Sequence, residues 1–326
     1  MNRFAASLKK ILRESILVYW GLLKILVPVM IVVEALIRAG LVEKISILTE
    51  PMMAIFGLPA ATSLVLATNL LVGLYPAVAV LLTLAPDMAL STADMTVLGG
   101  MIVFAHALPV EQLIVKKTGI SLIFSSLIRL VAMVIYGLIF HYFYTAFDLF
   151  SGPANILIAP DAVTTDNSWT GWAIASAQSL FMIFWILAGL IALLKVLEVV
   201  GITKWLMAAL TPLLRLIGIG PNAAPLAVVG ILLGLSFGGG LIMREVDKGH
   251  LNPKSVLIAM IFLGLSHSLI EDTLIVMALG ADWSGVLLGR IILTLALIIP
   301  ISYAVRHMPD RYFNFVYRKK KQPAAI

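Results

Sequence analysis

The side chains best suited to chemistry lie in two similar segments of the chain. Residues 105–115 read Ala-His-Ala-Leu-Pro-Val-Glu-Gln-Leu-Ile-Val, and residues 266–276 read Ser-His-Ser-Leu-Ile-Glu-Asp-Thr-Leu-Ile-Val. A constant offset of 161, without gaps, places His106 on His267 and an acid of the first segment on an acid of the second. Imidazole and carboxylate groups relay protons, coordinate cations and hydrogen-bond polar solutes. Each of these two His-acid segments is therefore a candidate site.

Three functions compete for the His-acid segments: a proton relay, coordination of a divalent cation, and hydrogen bonding of an uncharged polar solute. A purely structural polar network between helices is the alternative. Because His267 and Glu271 are four residues apart, we expect them on one face of a helix. The candidates for substrate binding or proton coupling are His106, Glu111, Gln112, Ser266, His267, Ser268, Glu271, Asp272 and Thr273.

The same offset relates further residues of types that set backbone shape or are costly in apolar surroundings. These matched pairs are Gly40 and Gly201, Pro51 and Pro212, Gly57 and Gly218, Gly73 and Gly234, Gly119 and Gly280, and Arg129 and Arg290. The chain is therefore read as a duplicated unit. Arg129 and Arg290 lie inside apolar runs, so we expect them to pair with acids of the His-acid segments, with anion binding as the alternative.

The composition is that of a membrane protein. Hydrophobic residues make up 61% of the 326 residues and charged residues only 12%, far from the soluble average. Apolar runs long enough to cross the ~30 Å hydrocarbon core recur along the chain. The first, residues 16–39, is too long for a signal peptide and is expected to be retained. We predict an all-α, polytopic transmembrane helix bundle. Cysteine is absent, which excludes disulfides and thiolate sites.

The net charge of +6 does not indicate nucleic-acid binding, because the basic residues cluster at span ends and in the tail 318–321, where they would lie beside anionic lipid. Residues 85–97 contain acids but no Lys or Arg, whereas the matched region 246–258 and the adjoining Arg244 are basic. The two copies are therefore predicted to insert in opposite orientations, with about ten membrane segments, two inverted repeats and both termini cytoplasmic. Segments 45–58 and 206–219 would be the fifth crossings, or alternatively surface helices.

The predicted organisation is a first repeat at 1–148, an extracytoplasmic linker at 149–170 and a second repeat at 171–326 with a basic cytoplasmic tail. Both repeats contain glycines or prolines in mid-span, which predicts broken helices. Breaks at matched places point to a substrate site near the membrane midplane, although close packing and a simple kink are the alternatives. The predicted gate residues are Asn69, Gly73, Tyr75, Pro76, Gly234, Ser236, Gly238, Gly239 and Gly240.

The stretch Ser-Phe-Gly-Gly-Gly-Leu-Ile at 236–242, followed by Gly-His-Leu-Asn-Pro-Lys at 249–254 and an apolar run with Ser and His, resembles the nucleoside-recognition or Gate domain of bacterial membrane proteins. That family includes spore-maturation-type membrane proteins, the ferrous-iron permease core and relatives of concentrative nucleoside carriers. The resemblance implies paired gate repeats, a transport-like cavity and the bacterial inner membrane. The cysteine motif of the iron permease is absent, which argues against iron transport.

The favoured function is a secondary transporter or permease for a small polar solute, nucleoside-like or other, coupled to protons through intramembrane acids. The alternatives are a non-transporting factor that handles envelope lipid or scaffolds a partner, and a divalent-metal permease. Enzyme motifs for phosphate binding, zinc hydrolysis or a serine nucleophile are missing, so no enzyme is expected. No cofactor and no resident metal site are assigned. Lipid and a solute are the expected partners, nucleic acid is not, and homo-oligomerisation is left open.

Overall fold

A computed structural model describes residues 2–85, 88–157, 168–201, 205, 208, 210–212, 214–215, 217–220, 222–235, 242–246, 248 and 251–317. These residues form helices, with two isolated bridges and no strand among them. The helices are α1 (Asn2–Arg38), α2 (Leu41–Ala54), α3 (Thr62–Leu71), α4 (Leu74–Leu84), α5 (Thr92–Phe104), α6 (Leu108–Lys117), α7 (Leu122–Phe147), α8 (Trp169–Val200), α9 (Ala224–Leu233), α10 (Pro253–Ser266), α11 (Glu271–Ala278), α12 (Arg290–His307) and α13 (Asp310–Val316), with a π-helical turn at Ser284–Gly289 before α12. The predicted all-α bundle is confirmed.

Five helical stretches are long and apolar enough to cross a membrane, counted over the residues that the structure describes. They are Tyr19–Arg38, Thr92–Lys117, Leu122–Phe147, Pro253–Ala278 and Ser284–His307. Two shorter apolar helices, α3 and α4, follow one another with a break between them. The chain is a polytopic membrane protein.

Two central helices, α5 and α10, occupy the core of the bundle. Every residue from Met95 to Phe104 and from Val256 to Ser266 is buried. A helix that is apolar on all faces is stable only when other helices or lipid surround it. Capping fixes where each of these helices begins: Ser91 and Asp94 form a reciprocal capping box on α5, and the Asn252 side chain accepts from backbone N–H groups at the start of α10. The opposite ends of these two helices, at Phe104 and Ser266, are both buried.

The backbone repeats its unusual conformations at the offset of 161. Four glycine pairs have positive φ in both copies, namely Gly40 with Gly201, Gly57 with Gly218, Gly73 with Gly234 and Gly119 with Gly280. A non-glycine pair does so too, since Ala107 has φ 45° and Ser268 has φ 49°. Left-handed conformation is costly for residues with a Cβ, so its recurrence at matched positions supports a shared backbone path. The division into repeats and linker remains a prediction.

The segment that connects the two copies is hydrogen-bonded to both of them. The Ala154 backbone donates to the carbonyl of Leu90 at 2.9 Å, and the Leu157 backbone donates to the carbonyl of Ala278 at 2.9 Å. Residues 158–167 of the predicted linker lie outside the described part of the chain. Its described beginning is thus hydrogen-bonded to the loop before α5 and to the end of α11.

Candidate functional site

A helix is interrupted within each of the two His-acid segments. Helix α5 ends at Phe104 and α6 begins at Leu108, while α10 ends at Ser266 and α11 begins at Glu271. His106 and His267 occupy these breaks and are 6% and 1% exposed. The expectation that His267 and Glu271 share one helix face is therefore wrong, because the chain leaves the helix between them. The left-handed Ser268 causes this change of direction.

Each of these breaks is held against the break of a neighbouring helix. The backbone N–H of Ala107 donates to the carbonyl of Asn69 at 2.8 Å, near the end of α3. In the second copy the Leu269 N–H donates to the carbonyl of Ile231 at 2.9 Å, near the end of α9. Helix ends leave carbonyls without intrahelical partners, and these cross-contacts satisfy two of them. Four interrupted helices therefore converge on one buried region.

The two histidines face each other across the junction between the copies. Their Nε2 atoms are 2.9 Å apart and their ring centroids 4.7 Å apart. Each Nδ1 lies against the carbonyl four residues earlier, at 3.3 Å from Ile102 and 2.7 Å from Leu263. These two carbonyls are also related by the offset of 161. The histidine pair thus has approximate two-fold symmetry, which the matching of His106 with His267 in the sequence anticipates.

Glu111 connects the histidine pair to Arg129. Its Oε1 lies 3.2 Å from Nε2 of His106 and 3.1 Å from Nε2 of His267. Its Oε2 accepts a hydrogen bond from Nη1 of Arg129, whose Nε donates to the carbonyl of Phe104 at 3.1 Å. Arg129 is 1% exposed, so this ion pair is buried at the arginine. Arg129 was expected to pair with an acid of the His-acid segments in either copy, and in the structure that acid belongs to its own copy.

Arg290 repeats the backbone contact of Arg129 but holds its acid more loosely. Its Nε donates to the carbonyl of Leu265 at 3.1 Å, the position that matches Phe104. Its Nη2 donates at 2.9 Å to the carbonyl of His267 and, across the junction, to the carbonyl of Val103. Asp272 approaches its Nη1 only to 3.7 Å. Arg290 thus joins the ends of α5 and α10.

Glu271 has a different partner, the hydroxyl of Tyr75, which donates to its Oε1 at 2.8 Å. Tyr75 lies in the first turn of α4, directly after the break at Gly73. We define the central cluster as His106, His267, Glu111, Glu271, Asp272, Arg129, Arg290 and Tyr75. It contains three carboxylates and two guanidinium groups. With neutral imidazoles, its net charge is therefore −1 when all three acids are ionised.

Several buried polar atoms around the central cluster have no hydrogen-bond partner among the described residues. They are both amide atoms of Gln112, the hydroxyl of Thr273, Oδ1 of Asn69, Oδ2 of Asp272, Nη2 of Arg129 and Nη1 of Arg290. The Asp272 and Arg290 atoms form the 3.7 Å ion pair described above. Buried polar groups are nearly always hydrogen-bonded to protein, water or a bound molecule. Gln112 and Thr273 are also matched by the offset of 161. The region therefore contains donors and acceptors suited to a polar occupant.

The remaining predicted residues divide by copy. In the first copy the break lies at Val72–Gly73, Pro76 lies inside the first turn of α4, and the Asn69 amide donates to the carbonyls of Ile102 and Ala105. In the second copy Gly234 ends α9, and Ser266 donates to the carbonyl of Phe262. Ser236, Gly238, Gly239 and Gly240 lie outside the described residues.

Sequence reasoning did not identify which backbone carbonyls take part in this site. The arginines bind the carbonyls of Val103, Phe104, Leu265 and His267, and no side-chain pattern marks those positions. It also assigned Tyr75 to the helix break alone, although its hydroxyl is the partner of Glu271. The only signal was that Tyr75 follows the glycine at which a helix was expected to end.

Comparison with known proteins agrees with the resemblance seen in the sequence. Residues 180–283 match the Gate family, described as nucleoside recognition. An uncharacterized membrane protein of Bacillus subtilis (strain 168), YvoD, is 27% identical over 295 residues, which cover 87% of this chain and 90% of that protein. No solved structure matches the chain. The matched Gate region contains the second His-acid segment. The chain is a polytopic membrane protein in which residues 180–283 are similar to the Gate, or nucleoside-recognition, family.

Proposed function

We propose that this protein is a secondary transporter or permease for a small polar solute, coupled to protons through Glu271 and Asp272. The observation that carries the proposal is the central cluster, where four interrupted helices meet: Asp272, Arg129 and Arg290 are buried there, and the other two carboxylates are half-buried. Broken helices in lipid are stable where protein or a water-filled cavity satisfies the freed backbone groups. Corresponding breaks in two halves of a chain are typical of transporter binding sites.

The unpartnered polar atoms support an uncharged polar solute. The Gln112 amide offers both a donor and an acceptor, Thr273 offers a hydroxyl, and both side chains are at most 3% exposed. A solute with its own donors and acceptors, such as a nucleoside or a similar molecule, would satisfy these groups. A structural network would instead be expected to close its hydrogen bonds internally, because an unpaired buried polar group costs about 1–3 kcal/mol.

The charge balance supports proton coupling. Arg129 and Arg290 offset two of the three acids, which leaves one negative charge in the cluster that a proton or another cation could neutralise. Glu271 has no arginine partner and accepts only from the hydroxyl of Tyr75 among the described contacts. Helix α4, which carries Tyr75, begins at the break. A proton gained or lost by Glu271 would therefore change a contact between the two copies beside the helix break.

We place the protein in the bacterial inner membrane with both termini cytoplasmic, as the basic tail and loops favour. Transport, rather than catalysis, is the activity we assign. The alternative of a non-transporting factor would not need three carboxylates beside helix breaks.

The test is the current evoked by solutes on proteoliposomes adsorbed to a solid support. A panel of nucleosides, organic acids and metal ions is applied to the full chain, and positive solutes are repeated with Glu271→Gln and Asp272→Asn. Both variants should fold and lose the coupled current, since the proton carrier is removed. Glu50→Gln is the matched control because Glu50 is exposed on α2. Silence of the folded wild-type protein across the whole panel would overturn transport in favour of a scaffolding role.

A further inference from the structure

The tautomers of the two central histidines follow from their backbone contacts. A carbonyl oxygen can only accept, so the Nδ1 atoms that face the carbonyls of Ile102 and Leu263 must carry hydrogen. In neutral imidazole the other nitrogen is then a bare acceptor. Both Nε2 atoms therefore present lone pairs to each other at 2.9 Å. Two facing lone pairs repel unless a positive charge lies between or beside them.

A third acceptor points at the same place. Oε1 of Glu111 is 3.2 Å from Nε2 of His106 and 3.1 Å from Nε2 of His267, so the three atoms form a nearly equilateral triangle. Ligands ~2.0–2.1 Å from a tetrahedral zinc ion lie about 3.3 Å apart from one another. The triangle thus matches one face of a metal tetrahedron to within a few tenths of an ångström. Water or a solute atom would supply the fourth ligand of a tetrahedral ion bound there.

The surroundings of the triangle are those of a metal site. Metal-binding histidines typically donate their other ring N–H to a carbonyl or carboxylate, which orients the ring. Both histidines do so here. The second oxygen of Glu111 is held by Nη1 of Arg129, which orients the carboxylate in the same way. Imidazole with carboxylate is a ligand set for Zn, Fe, Ni, Co or Cu rather than for Mg or Ca.

We propose that His106, His267 and Glu111 form a binding site for one divalent transition-metal ion at the junction of the two copies. The site takes one ligand from the second copy and two from the first, so the ion would cross-link them. This goes beyond the proposed solute transport. The ion would either stabilise the contact between the two copies or bind a solute atom as its fourth ligand. The competing occupant is a single proton shared by the two imidazoles and the carboxylate.

Co²⁺ alone is the probe, added to the purified full chain carrying a tag without histidine. Tetrahedral Co²⁺ gives visible d–d bands, and a bound ion should raise the melting temperature of the protein. We expect one Co²⁺ per chain, displaced by Zn²⁺. His106→Gln and His267→Gln should each weaken binding by more than the ~10–100-fold that loss of an outer partner causes. His307→Gln is the matched control, because His307 is exposed but also contacts the carbonyl four residues earlier.

A second variant covers the case in which the glutamine variants fail to fold. The chain has no cysteine, so His106→Cys places a single thiol beside the two remaining ligands. Co²⁺ bound by that variant should show a thiolate-to-cobalt charge-transfer band that the wild type lacks. Absence of Co²⁺ and Zn²⁺ binding by the folded wild type would overturn the metal site and leave the shared proton. Equal binding by wild type and both glutamine variants would overturn it too. Neither result depends on solute currents, so the transport proposal is judged separately.

Discussion

At the scale of residues, the matched acids of the two copies differ in length by one methylene group. The sequence equates Glu111 with Asp272, and both lie near the arginine of their own copy. Glu111 is long enough to reach Arg129 and both histidines, whereas Asp272 remains 3.7 Å from Arg290. The first copy therefore supplies the acid that contacts both histidines, whereas the matched acid of the second copy is held more loosely by its arginine. A two-fold pattern in the sequence becomes an asymmetric site.

The Arg129–Glu111 pair gives a prediction at this scale. Arg129→Gln leaves Glu111 without its cation in the interior, and breaking a buried pair in this way costs about 3–5 kcal/mol. The double change Arg129→Gln with Glu111→Gln should restore part of that loss, because both charges are then gone. Unfolding of the purified protein in detergent measures both effects. Arg311→Gln serves as the control, since Arg311 is exposed on α13. Unchanged stability in the Arg129→Gln protein would contradict the pairing.

At the scale of elements, the breaks determine the site. Gly73 has φ 137° and ψ −176°, and Gly234 has φ 90° and ψ 168°, a region that residues with a Cβ scarcely enter. A Cβ on Gly234 would also lie 2.9 Å from Oγ of Ser268, the residue of the second break. The two breaks of each copy are thus built against each other.

Gly73→Ala and Gly234→Ala are each expected to destabilise the protein by about 1–3 kcal/mol, because each forces a side-chain-bearing residue into that conformation. Gly21→Ala is the matched control: Gly21 lies inside α1, a Cβ added there would meet no atom within 4 Å, and alanine favours helix over glycine by about 1 kcal/mol. Thermal unfolding compares the three proteins. Equal melting temperatures for Gly234→Ala and Gly21→Ala would show that the break does not need glycine.

Much of this element-level arrangement could be predicted from the sequence, up to a definite point. Glycine and proline in apolar runs predicted the interruption between α3 and α4, because their backbone preferences are local. The interruptions at His106 and His267 were not predicted, since Ala107 and Ser268 adopt a left-handed conformation that only their tertiary contacts explain. The arginine contacts to carbonyls were equally hidden, because every residue has a carbonyl and only the fold selects which are free.

At the scale of the whole molecule, the two copies meet at one buried cluster. Arg290 of the second copy donates to Val103 of the first, and His267 faces His106. If the copies have opposite orientations in the membrane, α5 and α10 enter it from opposite sides, and their ends would meet in this way. The contrast in charge between residues 85–97 and the matched basic region supports that orientation.

Opposite orientation of the two copies is tested most directly by cysteine labelling from outside the cell, for which the cysteine-free chain needs no prior change. Single cysteines replace Ala89, Asn155 and Lys248, all exposed, and an impermeant maleimide is applied before and after permeabilisation. We predict that Ala89→Cys and Asn155→Cys react in intact cells, whereas Lys248→Cys reacts only after permeabilisation. Labelling of Lys248→Cys in intact cells, together with Ala89→Cys, would contradict opposite orientation and with it the proposed transport site between the two copies.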